Sequence, residues 1–158
     1  MQLFILDRSP ELSALALSDI HLRKMCLETA QILSAVIRIQ NRPLTPDMPE
    51  VYNINHPVIK ALDSQFRINW TTVYFQTLHK EYFRRFRKYH AYASLAQIYR
   101  QILFRQTDIE DWNFAKVFKD FTPVSADIVS AYREYYRFKK SIIKNWYYTN
   151  ADEPEWLK

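Results

Sequence analysis

The chain has 158 residues, 48% of them hydrophobic, 16% aromatic and 25% charged, a balance that excludes a disordered polypeptide and suits one domain with a buried core. It contains no glycine and a single cysteine, which excludes phosphate-binding loops, dinucleotide fingerprints, nucleophile elbows and internal disulfides. A net charge of +5 points to a polyanionic partner such as nucleic acid, and no set of cysteine and histidine has zinc-ligand spacing, so neither metal nor organic cofactor is expected.

Residues 2 to 6, Gln-Leu-Phe-Ile-Leu, read as an extended segment. They follow no basic leader, and no later stretch reaches the roughly 18 apolar residues of a membrane span, so a soluble protein of a reducing cytoplasm, bacterial or phage-infected, is expected. Ser9-Pro10-Glu11 is a helix start, and Ser18-Asp19 a second, predicting a short helix over 10–17 and a long one over 19–39. At 100° per residue His21, Lys24, Glu28 and Gln31 fall within about 80° of one another on the long helix. Apolar residues such as Leu22, Met25, Cys26, Leu33 and Ile37 fill much of the remaining circumference. A polar seam on a helix buried on its other sides is where a cleft belongs, and Cys26 reads as a small core residue.

Pro43, Pro46 and Pro49 mark residues 41–56 as a long irregular loop, and Pro57 opens another short helix. Asp63-Ser64 caps a helix to about Tyr89, with Phe66, Trp70, Val73, Tyr74, Thr77, Leu78, Tyr82 and Phe86 as its core stripe. The end of that helix carries Lys80, Arg84, Arg85, Arg87 and Lys88, followed by His90. Cations beside a row of aromatics suit docking on a phosphate backbone, as well as complementing the negative helix end. A helix over 92–105, a capping pattern at Thr107 to Glu110 with a helical turn through Phe118, and a last helix over 125–146 complete an all-α bundle of one domain. Arg133, Arg137, Lys139, Lys140 and Lys144 form a second basic run on that last helix, read chiefly as a solvated face, and the tail with Pro154 and Trp156 is too aromatic to be idle.

Leu17-Ser18-Asp19-Ile20-His21-Leu22, followed by Glu28 seven residues after the histidine, resembles the pyrimidine-dimer DNA glycosylase family, to which phage endonuclease V belongs. The resemblance implies an all-α fold, Glu28 as the catalytic glutamate, and His21 as a DNA-contacting companion; Lys24 and Gln31, on the same stripe, are expected to contact DNA as well. A wider resemblance, to a group of mostly uncharacterised phage proteins, rests on Leu6 to Pro10, Asp19 to Leu33, Asn55-His56-Pro57, Glu81 to His90, Ala131 to Tyr136 and Pro154 to Trp156.

In the glycosylase family the nucleophile is the α-amine exposed when methionine is removed before a small residue. Gln2 is bulky, so Met1 is expected to stay and its own amine to serve. An α-amine, with an ordinary pKa of about 7.7 to 8.0, keeps a neutral fraction near pH 7 that lysine lacks. Leu27 and Gln31 stand where the family carries arginines that handle the DNA backbone. The expected activity is therefore a DNA glycosylase with abasic-site lyase activity on damaged or modified bases in duplex DNA, with Tyr52 or Trp156 filling the gap left by a displaced nucleotide. The alternatives are a non-catalytic DNA-binding accessory protein of the same fold and a purely structural module.

Overall fold

A computed structural model describes residues 1–51 and 53–158, and all regular structure among them is helical. The helices are α1 (Pro10–Leu15), α2 (Asp19–Ile39), α3 (Pro57–Lys60), α4 (Gln65–Phe86), α5 (Leu95–Leu103) and α6 (Ile128–Ile142), with a closing 3₁₀ turn at Glu155–Leu157. No helix among them is long and apolar enough to cross a membrane.

Local chemistry explains most of the starts. Ser9 accepts the Leu12 amide ahead of Pro10, and the His56 ring accepts the Val58 amide ahead of Pro57. Ser18 stands at the N-cap of α2, but its hydroxyl is engaged by the His21 ring instead of the helix amides. The long helix α4 is the hub, packing against α1, α2 and α5. Its buried face, through Arg67, Trp70, Thr71, Tyr74, Phe75, Leu78, Glu81, Tyr82 and Arg85, is wider than the expected stripe and rotated toward the polar residues. Phe66, Val73, Thr77 and Phe86 are only partly covered. The helix stops three residues short of the expected Tyr89, because Arg87 takes a left-handed conformation and its amide returns to the Phe83 carbonyl.

Two expectations fail in the second half of the chain. Residues 107–118 form no helical turn. The Thr107 hydroxyl accepts the Ile109 amide and the Asp111 carboxylate accepts the Asn113 amide, bonds reaching two residues on that build turns in competition with a helix. The buried Arg67 then fixes this segment to α4 through Asp111 and the Asn113 carbonyl, and Phe114 packs on Trp70.

Helix α6 is shorter than 125–146. Ser125 is held by Glu134, while Asp127 caps the Ser130 amide and so sets the start. At the other end the chain leaves the helix at Ile143 in an extended conformation. It folds back so that Trp146 meets His21 and Tyr136 and Thr149 binds the Asp19 carboxylate. The basic run on α6 is largely spent inside the molecule. Arg133 holds the Leu6 carbonyl and Asp7, Arg137 the Trp156 carbonyl, and Lys140 Glu153. These cations fasten the N-terminal segment and the tail.

Candidate active site

The extended segment Leu3–Leu6 is wholly buried, with Phe4 among the rings of His21, Tyr132, Tyr135 and Tyr136. Burying these apolar side chains between α2 and α6 fixes where the first two residues emerge. They open into a cleft of about 400 Å³ lined by Met1, Gln2, Phe4, His21, Lys24 and Glu28 from the N-terminal half. Val117, Lys119, Tyr135 and Lys139 line it from the C-terminal half. Three lysines and the chain's own amine surround one carboxylate, a charge pattern suited to an anionic ligand.

Glu28 is the centre of this arrangement. Its carboxylate, with 15% of the side chain exposed, accepts the Gln2 backbone amide at 2.8 Å and stands 3.5 Å from the Lys24 ammonium. Consecutive backbone nitrogens lie at most about 3.7 Å apart, so the α-amine is within about 6.5 Å of the Glu28 carboxylate. The Gln2 side chain, bound to the Val117 carbonyl and the Tyr132 hydroxyl, anchors the chain end. His56, which belongs to a motif without an assigned role at the sequence level, shares this neighbourhood. Burial lowers its pKa first, the charge of the α-amine adds to that, and Glu28 opposes it.

His21 lines the cleft but is only 5% exposed. Its Nδ1 lies 3.1 Å from the Ser18 hydroxyl and 3.2 Å from that of Tyr136. Burial, with Lys24 and Lys139 adding positive charge, lowers its pKa to about 3. At neutral pH it is an uncharged ring packed between Phe4, Tyr136 and Trp146, suited to shaping the cleft wall rather than to pairing with a phosphate.

Because the unfolded chain takes up a proton at His21 near pH 6.5 and the folded chain does not until about pH 3, stability is full above pH 6.5 and falls with acidification. The slope approaches about 1.4 kcal/mol per pH unit. Melting temperature followed from pH 7 to pH 4 is expected to drop more steeply in the parent than in His21→Phe; parallel profiles would remove His21 as the cause.

The other predicted contacts separate. Gln31 turns to the 41–56 loop, donating to the Glu50 carbonyl at 3.5 Å. Arg85, expected to face a phosphate, is 1% exposed and fully engaged. It donates to Glu81 at 2.6 Å, to Asp19 at 3.0 Å and to the Leu15 and Leu17 carbonyls. Arg84 is held by Glu81 and the Asn150 carbonyl. Of that run Lys80, Arg87 and Lys88 are exposed without ion-pair partners among the described residues. His90 is half-buried against His79, Tyr82 and Tyr92.

Arg23 bridges the two basic regions: it neighbours Lys24 and stacks on Phe86, next to Arg87, at 4.5 Å. Trp156, expected to fill a gap in DNA, packs against Tyr136 with Arg133 over its ring. Tyr52 lies outside the described residues.

Lys119 was not singled out from the sequence, whereas His56 was named only within the Asn-His-Pro motif and Lys139 only within the basic run of the last helix. A family model described as pyrimidine dimer DNA glycosylase matches residues 1–95, which include Met1, His21, Lys24, Glu28 and His56 but not the wall formed by Val117, Lys119, Tyr135 and Lys139. No curated protein and no solved structure matches the chain significantly.

Proposed function

Since the chain belongs to the pyrimidine dimer DNA glycosylase family, whose substrate is DNA, we propose that its cleft removes a damaged or modified base from duplex DNA and then opens the abasic strand. The observation that carries this reading is the Gln2 amide on Glu28 at 2.8 Å, which brings the first nitrogen of the chain to the one carboxylate of a basic cleft.

In the proposed reaction the neutral Met1 amine attacks C1′ of the nucleotide. The bond from C1′ to the base breaks, its electron pair leaves with the base, and the base takes up a proton. The nitrogen then loses its protons as the sugar ring opens and a C1′ imine forms. Removal of a proton from C2′ expels the 3′ phosphate by β-elimination, and water releases the amine.

Glu28 is assigned to stabilise the positive charge that develops on the sugar and to carry protons to and from it. Lys24, Lys119 and Lys139 neutralise the flanking phosphates, with Arg23, Arg87 and Lys88 extending the track along the backbone. Extruding a nucleotide into the cleft costs a few kcal/mol and favours bases already weakly stacked. Leu27 and Gln31, in place of the family's arginines, leave the class of lesion as damaged or modified bases rather than pyrimidine dimers specifically.

The test is chemical trapping. Incubation with duplex DNA carrying an abasic site, followed by borohydride, is expected to give one covalent protein–DNA adduct whose attachment maps to Met1. A short N-terminal extension should abolish it. Binding without an adduct would overturn the enzymatic reading in favour of an accessory DNA-binding protein. An adduct that survives the extension would overturn Met1 as nucleophile.

A further inference from the structure

The fold brings together three side chains that are far apart in sequence. The sulfur of Cys26 and ring nitrogens of His79 and His90 lie within 4.8 Å of one another. Cys26 sits on α2, two residues before Glu28 and so about 200° around the helix from it, on the face turned away from the cleft. His79 comes from α4 and His90 from the turn that follows it.

His79 carries the argument. It is 6% exposed, and neither of its ring nitrogens has a hydrogen-bond partner among the described residues. A neutral imidazole needs one acceptor and one donor partner, and a buried ring left without either calls for a specific explanation. Phe75 packs edge-on against it at 4.4 Å and His90 lies at 5.4 Å, so it is held where it is by apolar and aromatic contacts. The same ring borders an open hollow of about 540 Å³ lined also by Gln76, Lys80, Phe83, Tyr89 and Ser94, which gives a small ion a way in.

We propose that Cys26, His79 and His90 bind one zinc ion through the thiolate sulfur and one nitrogen of each imidazole, with the fourth position facing that hollow. One sulfur and two imidazole nitrogens form a donor set that zinc favours over magnesium or calcium. Tetrahedral zinc holds its ligand atoms about 3.3 to 3.6 Å apart, so binding draws the three side chains inward by about 1 Å. The thiol proton of Cys26 passes to solvent as the sulfur–zinc bond forms. His90 Nδ1 accepts a long bond from the Tyr92 amide at 3.3 Å, a contact the ring gives up on binding. The ion clamps α2 from behind to α4 and to the segment that presents Arg87 and Lys88. It takes no part in the chemistry assigned to Glu28 and does not depend on that assignment.

The full chain, stripped with a chelator and dialysed, is titrated with cobalt(II) and then with zinc. One cobalt per chain is expected, with a thiolate charge-transfer band in the near ultraviolet and strong visible absorption, both removed by zinc. Zinc should raise the melting temperature by several degrees. Cys26→Ser should abolish the charge-transfer band, and His79→Gln and His90→Gln should weaken affinity about tenfold or more. His90 is only half-buried, so His90→Gln keeps the test valid should a core variant fail to fold. Absence of the band at stoichiometric cobalt, its persistence in Cys26→Ser, or a zinc-induced shift unchanged in His90→Gln would overturn the proposal.

Discussion

Glu28→Gln is expected to lower single-turnover base release by about 10² to 10⁴-fold while changing DNA affinity only a few-fold. The substitution is nearly isosteric. The glutamine side-chain oxygen can still accept the Gln2 amide that Glu28 now takes at 2.8 Å, so the chain end stays in place. In the proposed reaction, what disappears is the negative charge assigned to stabilise the sugar cation, together with a group able to carry a proton. The cleft then holds Lys24, Lys119, Lys139 and the amine with no anion among them, which favours phosphate binding and opposes a sugar cation. Rate and affinity therefore separate in this variant. Base release at the parental rate would remove Glu28 from the mechanism, whereas equal losses in rate and affinity would assign it to binding.

The second large effect falls on stability. Arg85→Met is expected to destabilise the fold by about 3 to 5 kcal/mol, a fall in melting temperature on the order of 10 °C for a chain of this size. The Arg85 guanidinium meets Glu81, Asp19 and the Leu15 and Leu17 carbonyls, tying α4 to the end of α1 and the start of α2. Removing it strands a Glu81 side chain that is 2% exposed, leaving that carboxylate to Arg84 alone. Arg87→Met, one turn end away and exposed, should shift melting by less than about 1 kcal/mol. Equal shifts in the two variants would show that the buried network contributes nothing net.

Arg85 also shows what could be read from the chain and what was misread. It stands two helical turns after Leu78, on the same face, so its burial was legible from position. Residue type, in a run of cations, argued the other way. The starts of α1, α3 and α4 were legible because capping is decided within four residues, whereas α2 begins where predicted without a cap bond from Ser18. Residues 107–118 failed for the same reason inverted, since Thr107 and Asp111 have two local bonding choices and Arg67, 44 positions from Asp111, selects the one that is not helical.

Within the candidate site, helical spacing put Lys24 and Glu28 on one seam, and the family resemblance added Met1. His56 arrives by way of a long loop, and Lys119 from an irregular segment. Lys139 was one of five cations spread around a helix. None of these three has a period that could have marked it.

The N-terminal segment seated against α6 also has a bearing on the order of folding. Gln2 is bonded to Tyr132 and Leu6 to Arg133, across 130 and 127 positions of sequence, the most non-local pairings that shape the cleft. Closing so long a loop is entropically slow and is rewarded only once the intervening helices are in place. The α1–α2–α4 hub can therefore assemble before the cleft exists, and the pocket around the amine is expected to form after that hub.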